Sequence, residues 1–247
     1  MSQYSGLTPN TNYLHKITDR QTFEMLKKIL RERQPTLPFK ESFNWNWSDI
    51  RYNRIALVNL LCASKLDGNY LEIGCQGNIC FDAVPMMNKI GVDPESGGTH
   101  KEYSDDFFFK NTTCFDVIFI DGLHIYDQVR RDVVNSIKFL KPGGWVAIHD
   151  MLPHDAISEH VPMISRGQWF GDVWKVAFEL ASSTGIEFKL IKIDAGIGLF
   201  RITEPSAVLN NMEVTLQDKR FQYLFENISQ LPIIEWKDAY KWIRANA

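Results

Sequence analysis

No apolar run in this chain approaches the ~18 residues that a membrane-spanning helix needs. The opening residues, Met1 to Gly6, lack the basic-then-apolar pattern of a secretory leader. There are only four cysteines, Cys62, Cys75, Cys80 and Cys114, and they make no zinc-like pair of pairs; they read as reduced thiols in a cytoplasmic protein. The charge is not of one sign: 27 Lys and Arg against 30 Asp and Glu give −3, interspersed along the chain. That excludes a nucleic-acid surface held by charge alone. Internal repeats and low-complexity tracts are missing too, so solenoid and linker-like architectures are set aside. What remains is a chain of 247 residues, 45% hydrophobic, able to bury a large core in one domain.

The most informative stretch is Tyr70-Leu-Glu-Ile-Gly-Cys-Gln-Gly-Asn78. It reads as a short buried strand, a glycine turn and the start of a helix. Gly74 and Gly77 let the backbone turn sharply and approach a ligand closely. Glu72 falls near the strand end, where open α/β sheets bind ligands. Asp93 follows at the end of a second strand, Lys89-Ile-Gly-Val-Asp93, where a carboxylate can take the hydroxyls of a ribose. The pair points to a nucleoside-containing cofactor.

The remaining pattern alternates helix and strand. Residues 1–19 form an irregular arm. Phe23, Leu26, Ile29 and Leu30 are spaced for a helix, and a connector with Pro35 and Pro38 follows. Ser48 is placed to cap a second helix striped by Ile50, Leu57, Leu60 and Leu61, expected at the sheet edge. Cys114 to Asp121 is an apolar run ending in an acid, as expected of an interior parallel strand. Ile125, Val129, Val133, Ile137 and Leu140 then stripe a helix closed by Lys141-Pro-Gly-Gly144, with Asp127, Arg130, Arg131 and Asp132 as its solvated face. Trp145 to Asp150 is the next strand, and a helix is expected over 171–183. Glu187–Asp194 and Ile197–Thr203 read as an antiparallel hairpin. The fold expected is α/β: a doubly wound, mostly parallel seven-stranded sheet with an antiparallel edge hairpin. We divide it as an N-terminal arm and helix (1–47), a core (48–203) and a C-terminal helical extension (204–247). The extension's aromatics cover the core, make an oligomer contact, or both.

Three strand ends then deliver Glu72, Asp121 with His124, and His149 with Asp150 to one crevice. The ordered pieces Tyr70–Asn78, Ile90–Pro94, Ser104–Phe108, Phe115–Tyr126, Lys141–Asp150, Gly171–Lys175 and Asp194–Gly198 resemble class I S-adenosylmethionine-dependent methyltransferases, in particular the group associated with sugar and glycan O-methylation. The glycine turn departs from that family's pattern, with Gly77 three residues after Gly74 rather than four.

The resemblance implies a cofactor, S-adenosylmethionine, and a carbohydrate acceptor. Glu72, Gly74 and Gly77 would frame its methionine part and sulfonium, with Asp121 beside them. Asp93 would hold the ribose, and Ser104 and Asp105 would lie by the adenine. Asp105 reads equally as a helix cap. A sugar hydroxyl is a poor nucleophile and needs a base of pKa near ~7 or a divalent cation. His124 is the candidate base, with Asp121. Asp121, His149 and Asp150 are candidate ligands for Mg²⁺ or Mn²⁺; His149 reads otherwise as a core histidine. Asp172, Trp174 and Lys175 serve the acceptor side or are an N-capped helix with a core tryptophan. His154 and His160 fall in the loop after Asp150. Alternatives are a small-phenol or polyketide O-methyltransferase, an NAD-dependent oxidoreductase, opposed by the lack of a full Gly-x-Gly-x-x-Gly, and a non-catalytic module of a glycan assembly complex.

Overall fold

The computed structural model describes Glu24, Met25, Lys28, Ile29, Glu32 and residues 37–246. Those first five are helical and exposed; the expected arm, and Phe23, Leu26, Leu30 and Pro35, lie outside the described residues.

Seven strands form one sheet: β1 (Asn69–Ile73), β2 (Asn88–Val92), β3 (Phe115–Ile120), β4 (Leu140–Ile148), β5 (Ile186–Ile191), β6 (Ile197–Ile202) and β7 (Ile233–Ile234), in the order β2-β1-β3-β4-β6-β5-β7. β1 pairs in parallel with β2 and β3, and β3 with β4. β6 alone runs backwards, antiparallel to both β4 and β5, while β7 lies parallel to β5 at the edge. The expected hairpin is present, but it is interior on one side: β6 joins β4, and the last strand comes from the C-terminal extension. β3, apolar apart from Asp116, sits mid-sheet with both faces covered, which is why its sequence does not alternate.

Around the sheet run α1 (Arg54–Cys62), α2 (Ile79–Ala83), α3 (Ser104–Lys110), α4 (Tyr126–Phe139), α5 (Ala156–Glu159), α6 (Trp174–Ala181), α7 (Glu213–Leu216), α8 (Phe221–Asn227) and α9 (Trp236–Ala245). Two layers of core result. One packs α4, α6 and α8 on one face, through Val129, Val133, Trp174 and Phe221. The other packs α1 and α9 on the opposite face, where Leu57, Val58 and Leu61 meet Val117, Phe119 and Trp145. α1 therefore crosses the sheet face rather than its edge.

Several local expectations change. α1 starts at Arg54, not near Ser48, because the Asn53 side chain accepts from the Ala56 N–H at 3.1 Å and caps it. Trp47–Asp49 make only a 3₁₀ turn. Lys141–Gly144 do not close a helix, since α4 ends at Phe139 and β4 begins at Leu140. Nor is the charged stripe of α4 uniformly solvated. Asp132 is fully buried, and Arg130 reaches the buried Glu179 at 3.0 Å.

Candidate active site

The tips of β1, β3 and β4 meet at one edge. Asp121 N donates to Ile73 O at 2.8 Å, and His149 N donates to Ile120 O at 3.0 Å, so each strand end leans on its neighbour. Gly74 turns the chain at φ +85°, and a Cβ there would stand 2.2 Å from the Asp121 carbonyl; only glycine fits. Gly77 differs: a Cβ added to it meets nothing within 4 Å, so the turn has an open side.

The two acids of the glycine turn face inward. Glu72 is 1% exposed and accepts from the Tyr70 hydroxyl at 2.5 Å. Burial pushes its carboxyl up to about 7, against that bond. Asp93 accepts four backbone N–H groups: Cys75 and Gln76 on one oxygen, at 3.0 and 2.8 Å, and Glu95 and Ser96 on the other, at 2.9 and 2.8 Å. Burial opposes its charge, yet these donors hold it below the usual carboxylate range. Its lone-pair sites are filled by the turn and by the loop after β2. Ser104 is buried, with Oγ 3.0 Å from Gln128 Nε2, whereas Asp105 is exposed and pairs with Arg131 at 3.1 Å. Asp105 does not cap α3, which has no side-chain cap.

The chemistry gathers around Asp121. Ligand atoms of Asp121, His124 and Asp150 lie within 4.8 Å of one another. His124 Nδ1 is 2.9 Å from the Trp169 carbonyl, which can only accept, so that nitrogen carries a proton. Its Nε2 then faces the cluster, 3.1 Å from Asp150 Oδ2 and 3.7 Å from Asp121 Oδ1. A ring held at one nitrogen by a backbone carbonyl presents the other to a metal or a proton. Burial works against a charge on His124, but Asp150 and Asp121 raise its pKa above the ordinary imidazole value.

His149 lies between the two carboxylates. Its Nδ1 is 3.0 Å from Asp121 Oδ1 and 3.2 Å from Asp150 Oδ2, while its Nε2 faces Arg54 Nη1 at 3.3 Å. Burial opposes its charge as well, yet both carboxylates raise it well above the ordinary value. With Nδ1 spent on the carboxylates, His149 orients them. Asp121 itself is held far below the usual range by His149 and His124, although burial pulls the other way. Asp150 sits at φ +62°, a left-handed conformation that Asp tolerates and that turns its side chain back toward His124 and His149.

Sequence reasoning missed Arg54 and Asp194. Arg54 opens α1 and reaches Asp121 at 3.6 Å and Asp194 at 3.1 Å; its backbone N–H also donates to Asp194 at 2.8 Å. Asp194 comes from the β5–β6 turn. An arginine at a helix N-terminus opposes the macrodipole, but with the helix start expected near Ser48 that misfit does not show in the sequence. Asp172 does not cap its own helix; it caps α4, accepting from Tyr126 N at 2.7 Å, and it holds the buried Lys175 at 2.9 Å. Trp174 is core. His160 Nδ1 is engaged with Pro162 O at 2.9 Å, and His154 packs edge-on against Phe170. Cys62, Cys75 and Cys80 are buried free thiols, and burial pushes Cys62 and Cys75 up to about 12.

Residues 88–151, which span Asp93 to Asp150, match a family model described as a methyltransferase domain. No curated protein matches the chain. Among solved structures, one similar chain is an O-methyltransferase from Streptomyces achromogenes involved in tomaymycin synthesis, in complex with S-adenosylmethionine. It is 16% identical over 78% of this chain and 96% of that one, with a TM-score of 0.45. Another is an O-methyltransferase from Bacillus cereus in complex with S-adenosylhomocysteine, 11% identical over 78% and 96%, TM-score 0.46. A methyltransferase from Podospora anserina, bound to S-adenosylhomocysteine, is 12% identical over 75% and 97%, TM-score 0.45. No helix among the described residues is long and apolar enough to cross a membrane.

Proposed function

We propose that this chain is an S-adenosylmethionine-dependent O-methyltransferase acting on a hydroxyl of a sugar or glycan. The observation that carries the reading is the convergence of Asp121, His124 and Asp150 beside a glycine turn with an open side. The match of residues 88–151 to a methyltransferase domain supports it.

The cofactor supplies a methyl group on a sulfonium, already activated for displacement. The chain must hold that sulfonium, align an acceptor oxygen and take its proton. Gly74 and Gly77 provide the backbone cradle, with Asp121 at its rim. Ser104 and Asp105, at the start of α3, take the adenine end. Asp93 fixes the turn; to accept from a ribose as well, it must release the Glu95 or Ser96 N–H.

His124 Nε2 takes the acceptor proton. Asp121 and Asp150 make it a stronger base than free imidazole, and it must first lose its own proton. The donor set also fits a divalent cation: two carboxylate oxygens and one imidazole nitrogen suit Mn²⁺ or Mg²⁺, which would lower the pKa of a bound hydroxyl. In that case His124 is a ligand, and His149 Nδ1 orients the two carboxylates.

The test is a methyl-transfer screen over free sugars, nucleotide sugars, oligosaccharides and phenols, with and without EDTA. We expect transfer to a carbohydrate hydroxyl; loss of activity in EDTA, restored by Mn²⁺ or Mg²⁺, would make His124 a cation ligand. Transfer to phenols alone would overturn the acceptor class. Full activity in EDTA would remove the cation and leave His124 as base.

A further inference from the structure

One aromatic side chain of the loop between β4 and α6 lies on the cluster. The Trp169 ring faces the His124 imidazole, centroids 5.3 Å apart and planes 29° apart. Its carbonyl accepts from His124 Nδ1 at 2.9 Å, and its own Nε1 donates to the His160 carbonyl at 2.9 Å. Two residues on, Gly171 at φ +61° lies so close to His124 that a Cβ there would stand 1.7 Å from the His124 carbonyl oxygen. Next to it, Asp172 is bonded to Tyr126 N. The indole is thus fixed by a face, an edge and the backbone after it.

Despite these anchors Trp169 is only half-buried, with Arg166, Gly167 and Gln168 exposed beside it. Trp174, five residues later, is fully buried. A tryptophan held rigidly yet left partly open offers a large flat surface with little entropy left to lose on binding. Here the surface adjoins His124, whose Nε2 faces Asp121 and Asp150.

We propose that Trp169 is the acceptor platform: the part of its indole not covered by the His124 imidazole packs against the apolar face of a cyclic acceptor and brings a hydroxyl on the ring's rim to His124, Asp121 and Asp150. The inference rests on the methyltransferase reading and names how that site selects its substrate. The ligand chemistry is a ring with an apolar face and a hydroxylated rim. Pyranosides and phenols share it, and acyclic polyols lack it. Trp169 is here a specificity-determining residue. The bond that orients His124 comes from its backbone, so replacing the side chain leaves that bond in place.

The test is equilibrium binding, which needs no turnover. Saturation-transfer NMR on the full chain would use methyl glucoside, methyl galactoside, methyl rhamnoside and catechol as ring probes, with sorbitol as the acyclic control. Trp169→Leu keeps apolar bulk and removes the flat face; Trp169→Phe keeps a smaller one. A stacked aromatic contact of ~1.5 kcal/mol corresponds to about tenfold in affinity. We expect at least one ring probe to bind the wild type, to weaken about tenfold in Trp169→Leu, and to recover to within about threefold in Trp169→Phe. Whether the binders are pyranosides or catechol identifies the source of the ring. Equal binding by Trp169→Leu, binding of sorbitol as tight as that of the rings, or no ring bound at all would overturn the proposal. S-adenosylhomocysteine titrated into the same samples reads the methyltransferase assignment separately: its failure to bind the wild type counts against that assignment, whereas its equal binding to all three proteins with unchanged ring affinity counts against Trp169 alone.

Discussion

Asp121 is the residue around which the others are arranged. Four partners reach it from separate parts of the chain: His149 and His124 at one oxygen, Arg54 at the other, and Gly74 against its carbonyl. The three charged side chains stabilise an anion that burial alone would penalise. Gly74 is the least replaceable of the four, because the β1 turn passes within contact of the β3 tip. Gly74→Ala should cost roughly 2–4 kcal/mol, through a forced positive φ and a clash with backbone that cannot rotate away. Chemical denaturation checks this, and a variant as stable as the wild type would contradict the packing described at the strand tips.

At the scale of elements, the site is assembled by helices and loops borrowing each other's caps. α4 begins with Ile125 in the cap position, which offers no side-chain acceptor. Asp172, from the far end of the β4–α6 loop, supplies it, and Lys175 with no exposed surface holds Asp172 in turn. Lys175 Nζ also bonds the Gln217 carbonyl at 3.0 Å, tying the C-terminal extension to the same point. Asp172→Ala should therefore remove a cap and strand a buried ammonium, costing roughly 3–5 kcal/mol. Asp172→Asn, which retains a cap oxygen, should cost less. Urea titrations of both variants test the order; equal losses would mean that the cap matters less than the charge.

The elements also show what a sequence can and cannot express. The Phe115–Ile120 strand was legible because burial on both faces erases alternation, and Asp121 and His124 were legible because a parallel sheet aligns its carboxyl ends. Arg54 and Asp194 were not, since nothing local marks a helix start and a hairpin turn as partners across 140 residues. Asp132 misled for a related reason: its neighbours Asp127, Arg130 and Arg131 form the spaced charge pattern of a solvated face, and its burial is set by α3 folding over α4. The two-residue β7 carries too short a pattern to be seen at all.

Across the described molecule, carboxyls at odds with their burial include Glu72, Asp132 and Glu159. Burial pushes Glu72, Asp132 and Glu159 each up to about 7. Each binds its proton more tightly in the folded chain than in the unfolded one, where carboxyls titrate near ~4. As pH rises from ~4 to ~7 the unfolded chain releases these protons first, so folded stability falls across that window. Asp132→Asn cannot ionise and should flatten the decline, giving a melting temperature that gains on the wild type as pH rises toward ~7.5. Parallel melting curves across the range would show that Asp132 does not carry this proton.

On the proposed function, the strand tips form a pocket for an adenosyl sulfonium, with the open side of Gly77 facing it. The most direct measurement is calorimetric titration of S-adenosylhomocysteine into the wild type and Gly77→Ala, with NAD as control. The wild type should bind S-adenosylhomocysteine stoichiometrically and take up no NAD. Gly77→Ala should bind at least about tenfold more weakly at an unchanged melting temperature, because no neighbour of that glycine is disturbed. A wild type that ignores S-adenosylhomocysteine, or that takes NAD in its place, would contradict the claim outright.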